Sequence, residues 1–246
     1  MESYYSNVFW HFIGSPENTN WHVINCPEDI IKDGRHPKDN EKCLAILKQI
    51  LDTKYLKGSC SEKITDLYFT DKFCCLTDIP IKELAYHKEY YGDFAIGFKS
   101  SWVFGNFNPV LYINKNKIPN IVKDEPFEEI ITPNSYYKSD ETSFTIPINE
   151  IENAESPSIL NSMKSFVDTR SSKYWLNFIK VTKFSDNPKK SFYREREWRH
   201  IGNIIFTNED VEAIIIPKEY LSSIYKYINR SFIPINIITW EMLKKA

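Results

Sequence analysis

The sequence predicts one α+β domain, residues 1–246, with a mostly antiparallel or split central sheet and flanking helices. Short aromatic and β-branched segments alternate with a few segments of helical period, and the C-terminal half is rich in strand-type segments. A length of 246 residues is compatible with one domain. Hydrophobic residues at 42% and charged residues at 26% are an ordinary globular mixture.

The first strand and the first long helix have clear sequence signals. Residues 7–13 read NVFWHFI and stop at Gly14, which is typical of a short strand. Residues 41–52 place leucine and isoleucine at helical spacing, so this segment predicts an amphipathic helix with Leu47 in the core. Asn40 is the expected N-cap of this helix.

A second helix is predicted at 80–91, because Pro80 is well suited to a first helical turn and Gly92 to a C-terminal stop. A short segment of undefined type around Trp102 separates two of the strands in this region. The segments 64–69 and 73–77 predict two short strands or one bent strand, and further strands are predicted at 93–98 and 109–113.

Residues 114–157 are the least regular part of the sequence. They contain several prolines and acidic patches, which favours a long loop or an irregular insertion, with a helix at about 120–131. A further helix is predicted at 158–170.

The C-terminal region is predicted to contain a strand pair, 174–182 and 192–206, because the connector SDNPKK is typical of a turn. A short tail helix should end the chain. Between the pair and this helix we predict a buried strand at 211–216, a helix at 218–229 and a strand at 235–239.

Charge and glycine content exclude several ways of binding ligands. A net charge of -2 gives no global field that favours nucleic acid. Only 7 glycines are present, and neither a G-x-G-x-x-G nor a P-loop pattern occurs. The Rossmann and Walker ways of holding a phosphate are therefore not expected.

The sequence also indicates the cellular compartment. No apolar run approaches the roughly 18–20 residues that a membrane-spanning helix needs, and the N-terminus lacks a signal-peptide pattern. We therefore expect a cytoplasmic protein with no membrane contact. The five cysteines lack C-x-x-C spacing and the histidines are dispersed, which favours reduced thiols and no metal site. The cysteines are Cys26, Cys43, Cys60, Cys74 and Cys75.

The strongest local signal is the charged segment YREREWRH at 193–200. In a strand, alternate residues share a face, so Glu195, Glu197 and Arg199 should project together. A carboxylate pair on one face can stabilise a developing cation or activate a hydroxyl group. The alternative is a solvated strand with cross-strand ion pairs, each contributing about 0.2–1 kcal/mol.

Three ring-bearing side chains are further candidates. His11 lies in the first predicted strand, where it either satisfies a core or edge hydrogen bond or contacts a ribose or phosphate group. Tyr90 and Tyr91 end the second predicted helix, where they either face a cleft or pack on the sheet.

Several segments resemble the AbiGi family, which is named for abortive-infection phage resistance and is often labelled as an antitoxin family. They are VFWHFIG at 8–14, CCLTDIPIKELAYHKEYYGDFAIGF at 74–98, PVLYI at 109–113 and YREREWR at 193–199. The resemblance implies a role in phage defence, and a toxin or antitoxin partner encoded beside the protein.

A more distant resemblance is to the ADP-ribosyltransferase fold, in which a first-strand His or Arg holds a ribose of NAD. It implies that His11 binds NAD, although Phe12 and Ile13 follow it here in place of glycine and a hydroxyl residue. An aromatic residue in a strand-then-helix segment stacks on the nicotinamide in such enzymes. Tyr90 or Tyr91 would serve here, in the segment 73–91.

In the same enzymes, a late-strand Glu binds the nicotinamide ribose and assists transfer. Glu195 and Glu197 match this position and resemble the E-x-E spacing of several such enzymes. Arg199 has the fork geometry to clamp a pyrophosphate.

Three functions follow as hypotheses. The first is an NAD-consuming ADP-ribosyltransferase or a degenerate relative, acting on a protein or nucleic-acid acceptor in phage defence. The second is a non-catalytic antitoxin that uses its many aromatic residues to bind a toxin. The third is an effector that stacks single-stranded nucleic acid, for which the net charge of -2 gives the least support.

Overall fold

A computed structural model describes residues 7–65, 68–115, 174–231 and 235–244. Contacts divide the chain into one unit of residues 1–117 with 177–246, and a second unit of 118–176. All strands and helices named below belong to the first unit. The helices predicted at 120–131 and 158–170 lie outside the described residues, as does the predicted insertion after residue 115.

The described residues form a mixed α+β structure with a large central sheet, which confirms the predicted fold class. Its strand order is β11-β10-β4-β1-β3-β8-β5, and β10–β11 is its parallel pair. Two smaller sheets pair β2 with β9 and, in parallel, β6 with β7. The strands are β1 (Val8–Phe12), β2 (Tyr55–Leu56), β3 (Phe73–Thr77), β4 (Ala95–Lys99), β5 (Asn108–Pro109), β6 (Leu111–Asn114), β7 (Ile179–Thr182), β8 (Glu197–Ile201), β9 (Ile204–Ile205), β10 (Val211–Ile216) and β11 (Asn236–Thr239).

Helices connect the strands of this sheet. The helix α2 begins after Asp39, whose side chain accepts a hydrogen bond from the backbone N–H of Lys42 and replaces the expected cap Asn40. Gly92 ends α3 with a φ of 84°, as predicted. The helices are α1 (Pro27–Ile30), α2 (Asn40–Thr53), α3 (Leu84–Tyr91), α4 (Ser100–Asn106), α5 (Leu221–Ser231) and α6 (Trp240–Leu243).

The central sheet buries a different cluster on each face. The first cluster contains Phe9 of β1 together with buried leucines of α2 and isoleucines of α5. The second contains Trp10, the next residue of β1, together with Leu84 of α3 and Trp240 of α6. Because successive side chains of a strand point to opposite faces, neighbouring residues of β1 serve separate clusters.

Gly97 makes room for the side chain of Trp10 in the second cluster. It lies opposite Trp10 in the β1–β4 pair. A Cβ atom at Gly97 would lie 2.7 Å from the Trp10 ring and 2.6 Å from Val8. A larger residue there would displace Trp10, which the candidate site described below requires.

Two sequence predictions about the charged region are wrong. Residues 192–206 do not form one strand, because a 3-10 turn at Phe192–Glu195 and a left-handed Arg196 (φ 47°) precede β8. Nor does β7 pair with β8, since it lies parallel to β6 instead. Ser191 accepts a hydrogen bond from the backbone N–H of Tyr193 and so caps the 3-10 turn in place of strand pairing.

The segment around Trp102, for which the sequence predicted no element type, is the helix α4.

A substitution of Leu47 tests the predicted core face of α2, since the side chain of Leu47 is fully buried. We expect Leu47→Asp to lower the free energy of unfolding by about 4 kcal/mol or more, because it buries an unpaired charge and removes apolar contacts. Urea unfolding followed by circular dichroism measures this change. The exposed control Gln49→Asp on the same helix should cost less than about 1 kcal/mol. A folded Leu47→Asp protein of normal stability would contradict this packing.

Candidate active site

A small cavity of about 70 Å³ lies on the face of the sheet that carries Trp10. Pairing places Trp10 opposite Thr77 and Thr77 opposite Glu197, so these three residues of β1, β3 and β8 share this face. The aromatic part of the wall comes from Trp10, Phe12, Trp21, Phe73, His87 and Tyr91. The titratable part of the wall also includes Cys60, Glu62, Cys75, Lys180, Glu195 and Glu197.

Arg199 is fully buried beside this cavity and uses all its donors within the protein. Its Nε donates to Glu197 Oε1 at 2.7 Å, and its Nη2 donates to Glu62 Oε2 and, at 3.3 Å, to Glu197 Oε2. Its Nη1 donates to the carbonyl oxygens of Asn177 and Ile179 at 3.0 and 3.4 Å. No N–H group of Arg199 is left to bind a pyrophosphate, so the role predicted for this residue is wrong.

Lys180 lies at the centre of three carboxylates. Its Nζ is 2.8 Å from Glu62 Oε1, 2.9 Å from Glu197 Oε2 and 3.5 Å from Glu195 Oε2. The ammonium group also lies 4.1 Å from the centre of the Phe192 ring. Burial alone would lower the pKa of Lys180, but the carboxylates raise it well above its ordinary value, so this residue is a fixed cation.

Glu195 and Glu197 reach the same ammonium group from different backbone environments. Glu195 ends the 3-10 turn and Glu197 begins β8, and each is 6% exposed. Burial raises the pKa of Glu195 to about 7, although Lys180 and a 2.6 Å hydrogen bond from the Tyr91 hydroxyl oppose the rise. Burial also acts on Glu197, but Arg199 and Lys180 outweigh it and lower its pKa to about 2.

Counting charges explains why these two acids differ. Glu62 and Glu197 together balance the positive charges of Lys180 and Arg199, with which both form ion pairs. Glu195 is a fifth ionisable group, and its negative charge has no separate cation. An uncompensated buried charge is unfavourable, so burial favours the protonated form of Glu195. The cluster is neutral when Glu195 is protonated and carries one negative charge when it is ionised.

Tyr91 is positioned by a close approach of two glycines. The Gly14 N–H donates to the Tyr91 carbonyl oxygen at 2.8 Å. A Cβ atom on Gly14 would lie 2.7 Å from that oxygen and 2.8 Å from the Gly92 Cα. The end of β1 is thereby held against the end of α3, which places the Tyr91 hydroxyl beside Glu195.

Two buried nitrogen atoms in the cavity wall lack hydrogen-bond partners among the described residues. They are Trp10 Nε1 and His87 Nδ1. Burial, followed by the charge of Lys180, lowers the pKa of His87 to about 3, so its ring is neutral near pH 7. The His87 ring stacks on Tyr91 with a centroid distance of 5.1 Å. Unpaired buried polar atoms are rare in proteins, and at a cavity wall they are groups that a ligand could satisfy.

The structure brings only some of the predicted site residues together. Glu195, Glu197 and Tyr91 line the cavity. Tyr90 is 1% exposed and belongs to a separate cluster with Ile30 and Phe192.

His11 does not share the face of the sheet that carries the cavity. It lies opposite Ile96, a member of the cluster on the other face, and it alternates with Trp10 along β1. Its Nδ1 is 2.9 Å from the Cys75 carbonyl oxygen, and burial lowers its pKa. His11 therefore forms a hydrogen bond within the sheet, which is the first of the two roles predicted for it.

Three functional candidates were not predicted from the sequence: Trp10, Glu62 and Lys180. Lys180 lies in the strand sequence IKVT, where a lysine between two apolar residues usually faces solvent. Its burial depends on the carboxylates of Glu62, Glu195 and Glu197. Glu62 is far from Lys180 in the sequence, and Glu195 lies in a 3-10 turn that was not predicted. Only the alternation of Phe178, Lys180 and Thr182 on one strand face gave a signal, and it does not distinguish a buried from an exposed lysine.

The described residues contain neither a metal-binding group of side chains nor a membrane-spanning helix. Within ranges 7–65, 68–115, 174–231 and 235–244, no group of three or more His, Cys, Asp or Glu side chains could hold a metal ion. No helix among the same residues has the length and apolarity to cross a membrane.

An α+β protein with a buried ionic cavity is the class that these observations define. Residues 53–238 match the family described as "Putative abortive phage resistance protein AbiGi, antitoxin". This match spans more than half of the sequence, and the chain therefore belongs to the AbiGi family. A curated protein of Lactococcus lactis subsp. cremoris, "Abortive phage resistance protein AbiGi", is 25% identical over 164 residues. The matched part is 61% of this chain and 61% of that protein, and no solved structure matches.

The pKa of Glu195 predicts a specific dependence of stability on pH. Because its folded value of about 7 exceeds the ordinary 4.5, the folded state binds the proton more tightly, and stability falls as pH rises from about 4.5 to 7. Glu195→Gln mimics the protonated acid. We expect it to match the wild type near pH 5 and to be more stable at pH 8 by about 3 kcal/mol.

Urea unfolding at pH 5, 6, 7 and 8 measures this difference. Glu241→Gln replaces an exposed carboxylate and serves as the control for removing one negative charge. Parallel stability profiles for the wild type and Glu195→Gln would show that Glu195 is ionised throughout, contrary to the charge count.

Proposed function

We propose that the protein is an NAD-consuming, ADP-ribosyltransferase-like effector in abortive phage defence. The observation that carries this proposal is the surplus carboxylate of Glu195 in an aromatic-walled cavity whose other buried charges are balanced. When Glu195 is ionised, the cluster carries one negative charge, which a ligand with one positive charge would balance. The pyridinium ring of NAD carries such a charge, and cleavage of its ribose bond transfers positive charge to the sugar.

In the proposed reaction, the bond between the ribose C1′ and the nicotinamide nitrogen breaks. Its electron pair goes to the ring, nicotinamide leaves as a neutral molecule, and the ribose becomes oxocarbenium-like. Carboxylates held against that sugar stabilise it. Glu197 suits this role, because Arg199 and Lys180 fix its orientation and keep it ionised.

The acceptor then attacks C1′ through an O–H or N–H group and loses its proton. Glu195 suits the role of general base, because a pKa of about 7 is close to the pH at which the protein would work. The products are nicotinamide, an ADP-ribosylated acceptor and one proton. With water as the acceptor, the product is free ADP-ribose.

The aromatic wall would receive the nicotinamide ring. Tyr91 is the helix-end aromatic residue that the ADP-ribosyltransferase resemblance requires, and the unpaired Nε1 of Trp10 could donate to the carboxamide oxygen. In this proposal Trp10 replaces His11 as the first-strand contribution. A cavity of about 70 Å³ holds only a few water molecules, so we expect wall side chains to move when NAD enters.

Incubation of the pure protein with NAD and host extract tests the proposal, with nicotinamide release followed by chromatography. We expect Glu197→Gln to reduce the rate by about 10²–10³-fold, because it removes the fixed negative charge beside the reacting sugar. The exposed Glu241→Gln variant should retain the wild-type rate. Urea unfolding of both variants verifies that the measured proteins are folded.

Two results would contradict the enzymatic proposal. One is a wild-type protein that neither releases nicotinamide nor transfers ADP-ribose to any component of the extract. The other is a folded Glu197→Gln variant with the wild-type rate, which would remove this residue from the mechanism.

A second candidate function is binding of a toxin protein, which the description of the family as an antitoxin favours. An exposed aromatic pair, Phe184 and Tyr193, has ring centroids 5.3 Å apart and exposed fractions of 46% and 58%. The neighbouring Lys183, Lys190 and Arg194 are exposed and have no ion pair among the described residues. Exposed aromatics flanked by cations suit a partner with an acidic surface.

Co-expression with the product of the adjacent gene, followed by affinity capture, tests this candidate. We expect Tyr193→Ala to weaken the complex by about 30-fold, which is typical of an aromatic anchor at an interface. Phe104→Ala is the matched control, since Phe104 is 62% exposed at a different position. A protein that remains alone and is itself toxic to the host would exclude the antitoxin role.

A further inference from the structure

Two cysteines meet in the wall of the cavity. Cys60 pairs with Phe73 across an isolated bridge, in which the Phe73 N–H donates to the Cys60 carbonyl oxygen at 2.9 Å. Cys75 follows Phe73 by two residues on β3, so both project to the same face of that strand. Cys60 and Cys75 are therefore diagonal neighbours, and both side chains line the cavity.

The two thiols have different chemical characters. A hydrogen bond between the two thiols lowers the pKa of Cys60 despite its burial. The carboxylates of Glu62 and Glu197 oppose this lowering, and the ammonium group of Lys180 supports it. The same hydrogen bond, together with burial, raises the pKa of Cys75 well above its ordinary value. Cys60 is therefore the more acidic thiol of the pair.

The remaining cysteines lack this arrangement. Burial raises the pKa of Cys43 to about 11 and that of Cys74 to about 12. Burial also raises the pKa of Cys26, which is partly exposed. Because the thiolate is the nucleophilic form of cysteine, these three are poor nucleophiles near pH 7.

We infer that Cys60 and Cys75 form a peroxide-reactive thiol pair, in which Cys60 attacks the oxidant and Cys75 resolves the product. The site combines a hydrogen bond between the thiols, a neighbouring ammonium group and access through the cavity, which such a pair requires. This inference stands independently of the NAD proposal, because it concerns the thiols and not the acids.

The reaction balances in two steps. The Cys60 thiolate attacks one oxygen of hydrogen peroxide, the O–O bond breaks, and Cys60 sulfenic acid and hydroxide form. The Cys75 sulfur then attacks the Cys60 sulfur, and its proton leaves with the hydroxyl group as water. The two sulfur atoms lose two electrons in total, and the peroxide gains them. The result is a disulfide that a thiol or phosphine reductant reverses.

Native protein exposed to hydrogen peroxide, and then blocked with N-ethylmaleimide, tests the inference by mass spectrometry. We expect a mass loss of about 2 Da before blocking, and a peptide map that joins Cys60 to Cys75. In Cys75→Ser, Cys60 should stop at the sulfenic acid, which dimedone traps. In Cys60→Ser, oxidation at position 75 should slow by about 10-fold or more.

Cys26→Ser is the matched control, because Cys26 is also partly exposed but has a raised pKa. It should form the disulfide at the wild-type rate. The wild-type peptide map decides the matter even where a variant fails to fold. A disulfide that joins other cysteines would overturn the inference, as would oxidation of Cys26 ahead of Cys60.

Discussion

The ion cluster around Lys180 and Arg199 is the interaction on which the described structure most depends. Two buried cations are tolerated in this chain only because Glu62 and Glu197 form ion pairs with both. Removing either cation would leave a buried carboxylate charge uncompensated among aromatic side chains. The cluster thereby joins β7, β8 and the segment around residue 62, which belong to different sheets or to none.

The topology explains why these groups meet. The parallel pairing of β6 with β7 carries Lys180 under the edge of the central sheet, where β8 presents Glu197 and Arg199. The 3-10 turn before β8 then returns Glu195 to the same ammonium group, despite the left-handed Arg196 between the acids. A continuous strand would also have placed both acids on one face, with about 7 Å between the two residues along the backbone.

Local patterns predicted several of the elements, because hydrophobic periodicity and glycine or proline stops act within a few residues. The helix α2, the stop at Gly92 and the buried strand β10 followed from such patterns. The pairing of β7 did not, since a nearby turn sequence suggested a hairpin and only tertiary contacts decide between partners. The acids were identified from their spacing, whereas Lys180 was missed because nothing local distinguishes a buried lysine from an exposed one.

Stability alone does not explain Glu195. The balanced cluster would be complete without it, and a glutamine there could still accept the hydrogen bond from the Tyr91 hydroxyl. An acid whose pKa is raised to about 7 on folding lowers the stability of the protein whenever it loses its proton, and perturbed pKa values cluster at functional sites. Perturbed acids beside unpaired polar atoms are typical of sites that bind or transform a ligand. The perturbed acid and the unpaired nitrogen atoms in the cavity wall are therefore the features on which the proposed binding of a charged ligand depends.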